Sequence, residues 1–432
     1  MTDVSLRRIA GLALPALAVL AAEPVYLLVD TAVVGHLGRT ALASLAIGGG
    51  VLAVAAWIGN VLAFGTTSRS ARLFGADRRA EAVAEGVQAS WLALAAGLIL
   101  VVAAQFGAGE LATAMAGPGE VADGAATWLR IASLGAPGIL LALAGNGWMR
   151  GVQDTRRPVR FVLGANLLSA VLCPLLVYPL GMGLAGSAVA NVIAQCVSGA
   201  LFVRALVVEG VPLAPHPARL LAQLTLSRDL IIRGLAFQVC FLSAAAVTAR
   251  FGAAALAAHQ IALQLWMFCA FALDALAIAA QSLVGADLGA GRAEEARRTA
   301  ARITRIGAGC GVVLAAFIAV GAWWLPGLFT TDRAVLDQTM VAWPWFVAME
   351  LVAGVVFALD GVLIGAGDVA YMRNLTIAAA LGGFLPAIWV TYALDLGLGG
   401  IWAGLTLFIL IRLVTLVARL VSGRWAVVGA VR

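Results

Sequence analysis

GADRRAEA, from Gly75 to Ala82, returns as GAGRAEEA from Gly289 to Ala296, with five of eight positions identical at an offset of 214. The same offset superimposes Gly38, Ala41 and Leu42 on Gly252, Ala255 and Leu256. It also superimposes Gly151 and Asp154 on Gly365 and Asp368, and Gly183 and Gly186 on Gly397 and Gly400. A register kept across two halves of a 432-residue chain marks an internal duplication.

Outward from each copy run apolar stretches long enough to cross a bilayer, separated by short segments bearing arginine, glycine or proline. With 62% hydrophobic and 12% charged residues, the chain has too little polar surface for soluble domains. Twelve spans are expected, at 8–34, 42–71, 84–106, 121–149, 158–180, 185–208, 228–250, 256–284, 296–325, 335–364, 370–393 and 399–422. They lack the ten-residue alternation of a transmembrane barrel, so the expected fold is an all-α polytopic membrane protein. Six spans per half is an even number. Both halves then enter the bilayer from the same side, and the repeat is parallel, as in transporters whose lobes are related by an axis along the membrane normal. The expected organisation is an N-lobe over 1–208, a cytoplasmic linker over 209–227 rich in proline (Pro212, Pro215, Pro217), and a C-lobe over 228–432.

All 28 basic residues are arginine. Only Arg39, Arg250 and Arg333 fall in loops on one side, and Arg130 and Arg412 lie within spans. The remaining 23 gather on the other side, which places both termini in the cytoplasm. The net charge of +6 is therefore an orientation signal, not a phosphate-binding stripe, and no nucleic-acid partner is expected. The five cysteines lie in apolar spans without disulfide or metal spacing, so neither a metal nor a cofactor is expected. The first apolar segment is too long for a signal-peptide core and is expected to remain as a helix. The chain shows no acidic metal-binding cluster and no catalytic dyad in a loop, which argues against a membrane transferase or any other enzyme.

Charged side chains at membrane depth cost about 2.5–3.5 kcal/mol on insertion scales and mark function by default. The acidic residues within the spans are Glu23, Asp30, Asp274, Glu350 and Asp360. The repeat places Asp274 opposite Asn60 and Asp360 opposite Asn146, whereas Asp30 meets Ala244. A device confined to one half suggests coupling chemistry. Asp30 stands about 20 residues, roughly 30 Å, along the first helix, where a carboxyl can meet the outer half of the membrane and carry a proton. Glu23 lies seven residues earlier, on the same face of an ideal helix but about 10.5 Å away along it. Pro15 and Pro24 withdraw backbone donors from this helix, so a bend that responds to Asp30 is expected. Asn60, Asn146, Asp274 and Asp360 are candidates for a cavity attractive to cations. Trp57, Met267, Phe268, Phe271, Trp345, Met349 and Phe357 are candidates for its soft aromatic wall, although aromatics in spans more often serve packing or the interfacial belt. His36 and His259 flank helix ends and are read as local hydrogen-bonders. Asp154 and Asp368 sit at turns where they are expected to cap the next helix.

LVDTAVVGHLG (Leu28 to Gly38), RGVQDTRRP (Arg150 to Pro158) and ALDALAIAAQSLVGADLGAG (Ala272 to Gly291) resemble signatures of the multidrug and toxic compound extrusion (MATE) family, most closely its DinF-type branch. The resemblance spans nearly the whole chain. It implies export of organic cations or amphiphiles by antiport with protons or sodium, and it maps the first-helix acidic residue of the family onto Asp30. Many members carry Asn-x-x-x-Asp-Pro in the fifth helix, where this chain has Ser169 and then Cys173-Pro174. Loss of that carboxylate weakens the case for a sodium site, because a hard cation wants oxygen ligands, and makes proton the expected coupling ion. The competing readings are sodium-coupled export and a lipid-linked-oligosaccharide flippase of the same superfamily, which would want a more cationic cavity. The expected partners are small amphiphilic or cationic molecules and the lipid bilayer of the plasma (inner) membrane, with the protein acting as a monomer.

Overall fold

The computed structural model describes residues 5–430, all of them in helices or the loops between. The helices are α1 (Leu6–Gly35), α2 (Arg39–Gly75), α3 (Arg79–Ala116), α4 (Glu120–Ser133), α5 (Ala136–Gly151), α6 (Arg156–Val177) and α7 (Gly183–Val208). They continue as α8 (Pro217–Thr248), α9 (Ala253–Gly289), α10 (Ala293–Gly321), α11 (Arg333–Gly365), α12 (Val369–Ala379), α13 (Leu385–Ala393) and α14 (Gly397–Ser422). Among the described residues ten of these helices are long and apolar enough to cross a bilayer, α12 and α13 together make an eleventh span, and the bent pair α4 and α5 makes a twelfth. The chain is thus an all-helical, multi-pass membrane protein.

Three of the differences from the spans the sequence suggested have a clear local cause. The expected single span 121–149 is broken into α4 and α5, which meet at 50°. Leu134 and Gly135 sit at the break and Pro137 follows, supplying no N–H to bridge it. The expected linker 209–227 is shorter, because α8 begins at Pro217. A proline tolerated in the first turn, where its N–H would be spare anyway, starts this helix instead of preventing it. The span 370–393 is interrupted at Ala380–Phe384 by a wider π turn that separates α12 from α13.

The chain divides into two compact units, Leu14–Ser227 and Arg228–Ala430, the latter together with residues 5–13. The backbone repeats between them at the turns. Left-handed φ occurs at Asp77 and Gly291, Gln153 and Gly367, Gly181 and Asp395, and Gly183 and Gly397. Each of these pairs is separated by the repeat offset. In the first unit, Asp154 donates its backbone N–H to the Met149 carbonyl at 2.8 Å, and in the second Asp368 does the same to Leu363 at 2.8 Å.

Each unit is built on one close helix pair. A methyl on Gly147 of α5 would meet the Ala63 carbonyl of α2, and a methyl on Gly361 of α11 would meet the Ala277 carbonyl of α9. Lipid offers no hydrophobic drive for helices to associate, so close van der Waals contact at small residues must hold them, and these glycines provide it. Trp148 fills the space beside Gly86, and Phe202 the space beside Gly145. The outer surface is apolar, as at Phe106, Val313 and Val421, whereas Thr66, Ser70, Asn146, Glu350 and Arg412 are buried. This inverts the pattern of a soluble protein, as a hydrocarbon solvent requires.

Candidate functional site

Asp30 lies near the end of α1, five residues before its last residue, and is 2% exposed. Its Oδ1 accepts a hydrogen bond from Ser187 Oγ of α7 at 2.7 Å and another from Cys173 Sγ of α6 at 3.1 Å. Ser187 is itself held by Trp128 of α4, whose Nε1 donates to its Oγ at 3.2 Å. One turn before Asp30 on the same face, buried Tyr26 stands beside Ser169 and Asn191. Tyr26 Oη, Ser169 Oγ and Asn191 Oδ1 make no hydrogen bond. Among the described residues no arginine pairs with Asp30.

A cavity of about 360 Å³ opens beside this group, lined by Glu23, Tyr26, Asp30, Trp128, Asn191 and Gln195 among others. Glu23 and Asp30 therefore face one space, as their spacing along the helix suggested. A second cavity of about 410 Å³ lies on the other side of α1, against Leu163, Asn166 and Ala170 of α6. Tyr26 lines both. Pro15 and Pro24 lie inside α1, which stays helical through them.

The remaining candidates do not gather here. Asn60 is half-buried on α2 and does not line this cavity, nor does Asn146, which is buried on α5 with neither amide atom hydrogen-bonded. Asp360 is not a free negative group. Its Oδ2 accepts from Arg233 at 2.6 Å and from Arg412 at 2.5 Å, which corrects the reading of it as a lure for cations. The sequence showed Arg412 inside a span, but nothing in its spacing tied it to Asp360, 52 residues away. Asp274, half-buried on α9, is an electrostatic neighbour of Arg233. Phe357 packs against Trp266 with ring centroids 6.4 Å apart. Trp57 and Phe271 are half-buried, Met267, Phe268 and Trp345 are exposed, and Met349 is buried in the core of the second unit.

Glu350 is fully buried with neither carboxyl oxygen hydrogen-bonded. His259 is likewise fully buried with neither ring nitrogen bonded, its ring edge-on to Trp402, so it is not the local hydrogen-bonder expected; His36 is, at 2.7 Å from the Ala32 carbonyl. Asp154 accepts from the Arg157 N–H at 3.3 Å as a cap does, but Asp368 leaves the α12 terminus uncapped and pairs with Arg419 at 2.7 Å. The contributions of Tyr26, Trp128, Ser187 and Asn191 were not anticipated. Only the i, i+4 relation of Tyr26 to Asp30 gave any signal in the sequence.

A duplicated helical membrane scaffold with a buried carboxyl facing an internal cavity is the form of a secondary transporter. The family model described as MatE matches residues 15–175 and 230–389, one match to each copy of the repeat, and the chain belongs to that family. It is a MATE transporter, and its relatives are transporters, not enzymes. It is 33% identical over 425 residues to Protein DETOXIFICATION 44, chloroplastic, of Arabidopsis thaliana, covering 94% of this chain and 80% of that one. It is 31% identical over 423 residues to DNA damage-inducible protein F of Escherichia coli, covering 94% and 90%. Among solved structures, one titled "Crystal structure of MATE in the bent conformation" superimposes with a TM-score of 0.88 at 22% identity, covering 97% of this chain and 94% of the other.

Proposed function

We propose that this protein exports organic cations or amphiphiles from the cytoplasm in exchange for protons, with Asp30 as the proton carrier. The observation that carries the reading is the surroundings of Asp30: a buried carboxyl on a cavity wall, met by a hydroxyl and a thiol and by no cation. A permanently charged carboxylate at that depth would want a cationic partner, whereas one that gains and loses a proton needs donors it can keep in either state. The donor set also favours proton over sodium, because a thiol stands where a hard cation would want an oxygen.

Alternating access then follows from rocking one lobe against the other, with lobes at 1–208 and 228–432. The cavities on both sides of α1 leave it room to bend at Pro24 when the charge on Asp30 changes. Glu23, on the same cavity wall, is the second acidic group that a cation would meet. The arginine distribution supports cytoplasmic termini, and the Escherichia coli relative supports the inner membrane as the location. The test is uptake of ethidium into inverted proteoliposomes with the proton and sodium gradients imposed separately. Uptake driven by the proton gradient alone is expected; uptake driven only by sodium refutes the coupling.

A further inference from the structure

The second unit contains a charged group that the duplication did not require. Arg233 of α8 and Arg412 of α14 converge on Oδ2 of Asp360 of α11, with side chains 15%, 2% and 10% exposed. In the first unit the equivalent positions hold Val19, Ser198 and Asn146, and the same scaffold folds around them. The cluster is therefore an addition to the scaffold. Asp360 also leaves the guanidiniums incompletely used, because the buried Nε of each has no hydrogen-bond partner. The carboxylates facing them are Asp360 and, beside Arg233, Asp274.

Aromatic rings adjoin the cations. Arg233 lies 5.2 Å and Arg412 4.8 Å from the ring centre of Phe237. From there Phe237, Phe241, Trp266 and Phe357 follow one another at 6.4, 5.5 and 6.4 Å. Phe237, Phe241 and Trp266 are the repeat equivalents of Glu23, Leu27 and Leu52, all three of which line the cavity beside Asp30. The rings thus occupy in the second unit the face that lines the Asp30 cavity in the first, and the charged cluster adjoins that face, since Val19, Ser198 and Asn146 do not line the first unit's cavity.

We infer that this face of the second unit is a binding site for the anionic group of an aromatic amphiphile, a carboxylate or sulfonate. Its oxygens take the spare Nε–H edges of Arg233 and Arg412, and its rings lie along the ladder from Phe237 to Phe357. Guanidinium suits this task because its planar fork matches an oxyanion and its face stacks on rings. The site extends the substrate class to molecules with a negative head and does not depend on the role given to Asp30.

The test is calorimetric titration of the purified full-length protein with naphthalene-2-carboxylate and with the neutral naphthalene-2-carboxamide. The carboxylate is expected to bind about tenfold more tightly, as a charge-assisted contact requires. Arg233→Gln, which leaves the Arg412 and Asp360 pair intact, should reduce that preference to about twofold or less. Phe237→Leu should weaken both ligands together, and Asp30→Asn should leave the preference unchanged. Equal affinity of the wild type for acid and amide overturns the inference whether or not any variant folds, and so does a preference that survives Arg233→Gln.

Discussion

Replacing Gly147 or Gly361 by alanine isolates the contact that builds each unit. A methyl on Gly147 would lie 2.7 Å from the Ala63 carbonyl oxygen and 2.9 Å from Ala63 Cα, both backbone atoms of α2 that no rotamer change can move aside. A methyl on Gly361 meets the Ala277 backbone more closely still. The helices must separate, and overpacking of this kind costs about 1–3 kcal/mol. Alanine returns about 0.5–1 kcal/mol through its better helix propensity, leaving a net loss of about 0–2.5 kcal/mol. Gly107 and Gly164 provide the control, because a methyl on either meets nothing within 4 Å. Alanine there should be neutral or stabilising by about 0.5–1 kcal/mol. For a unit of some 200 residues each kcal/mol moves the melting temperature by about 2–4 °C, so thermal unfolding followed by size-exclusion chromatography should resolve the two classes by several degrees. If G147A and G361A melt with the wild type while G107A falls, the account of the close helix pairs is wrong.

Asp360→Asn should cost about 3–5 kcal/mol in thermal unfolding, because it strands two buried guanidiniums, whereas Arg233→Gln should cost much less, because Arg412 keeps its partner; equal losses would contradict this. Ser187→Ala removes a bond worth about 1.5–3 kcal/mol when its acceptor is charged and should cut drug export at a fixed pH gradient several-fold, while Cys173→Ser retains a donor and should preserve export. An inactive C173S alongside a normal S187A would reverse the assigned importance of the two donors. Glu350→Met should raise thermal stability by about 1–3 kcal/mol, because it replaces a buried carboxyl that has no hydrogen-bond partner with an apolar chain of similar size, and a lower melting temperature would reveal a partner for that carboxyl.

The duplication was legible because glycine and turn residues answer to local backbone needs. Asp77 and Gly291, or Gln153 and Gly367, occupy the same left-handed turn in each copy, so the register shows in the letters themselves. The cavity face of α1 was legible for a similar reason: Glu23 and Asp30 lie two turns apart, and a fixed 100° per residue puts them on one side. Partners from distant segments were not legible. Ser187 and Cys173 reach Asp30 from 157 and 143 residues away, and a serine in an apolar span looks the same whether it bonds a carboxyl or its own helix. The Asp360 cluster was misread for the same reason, since an isolated acid in a span gives no sign of two arginines brought to it by packing. The break between α4 and α5 was hidden by unbroken hydropathy, which Pro137 does not interrupt.

Substrate-induced proton movement, recorded with a pH-sensitive dye trapped in proteoliposomes, tests the central claim most directly. Addition of ethidium to wild-type vesicles should drive a proton flux opposite to the drug, Glu23→Gln should reduce it, and Asp30→Asn should abolish it while the protein remains folded and still binds ethidium. An undiminished flux in the Asp30→Asn protein would contradict the account.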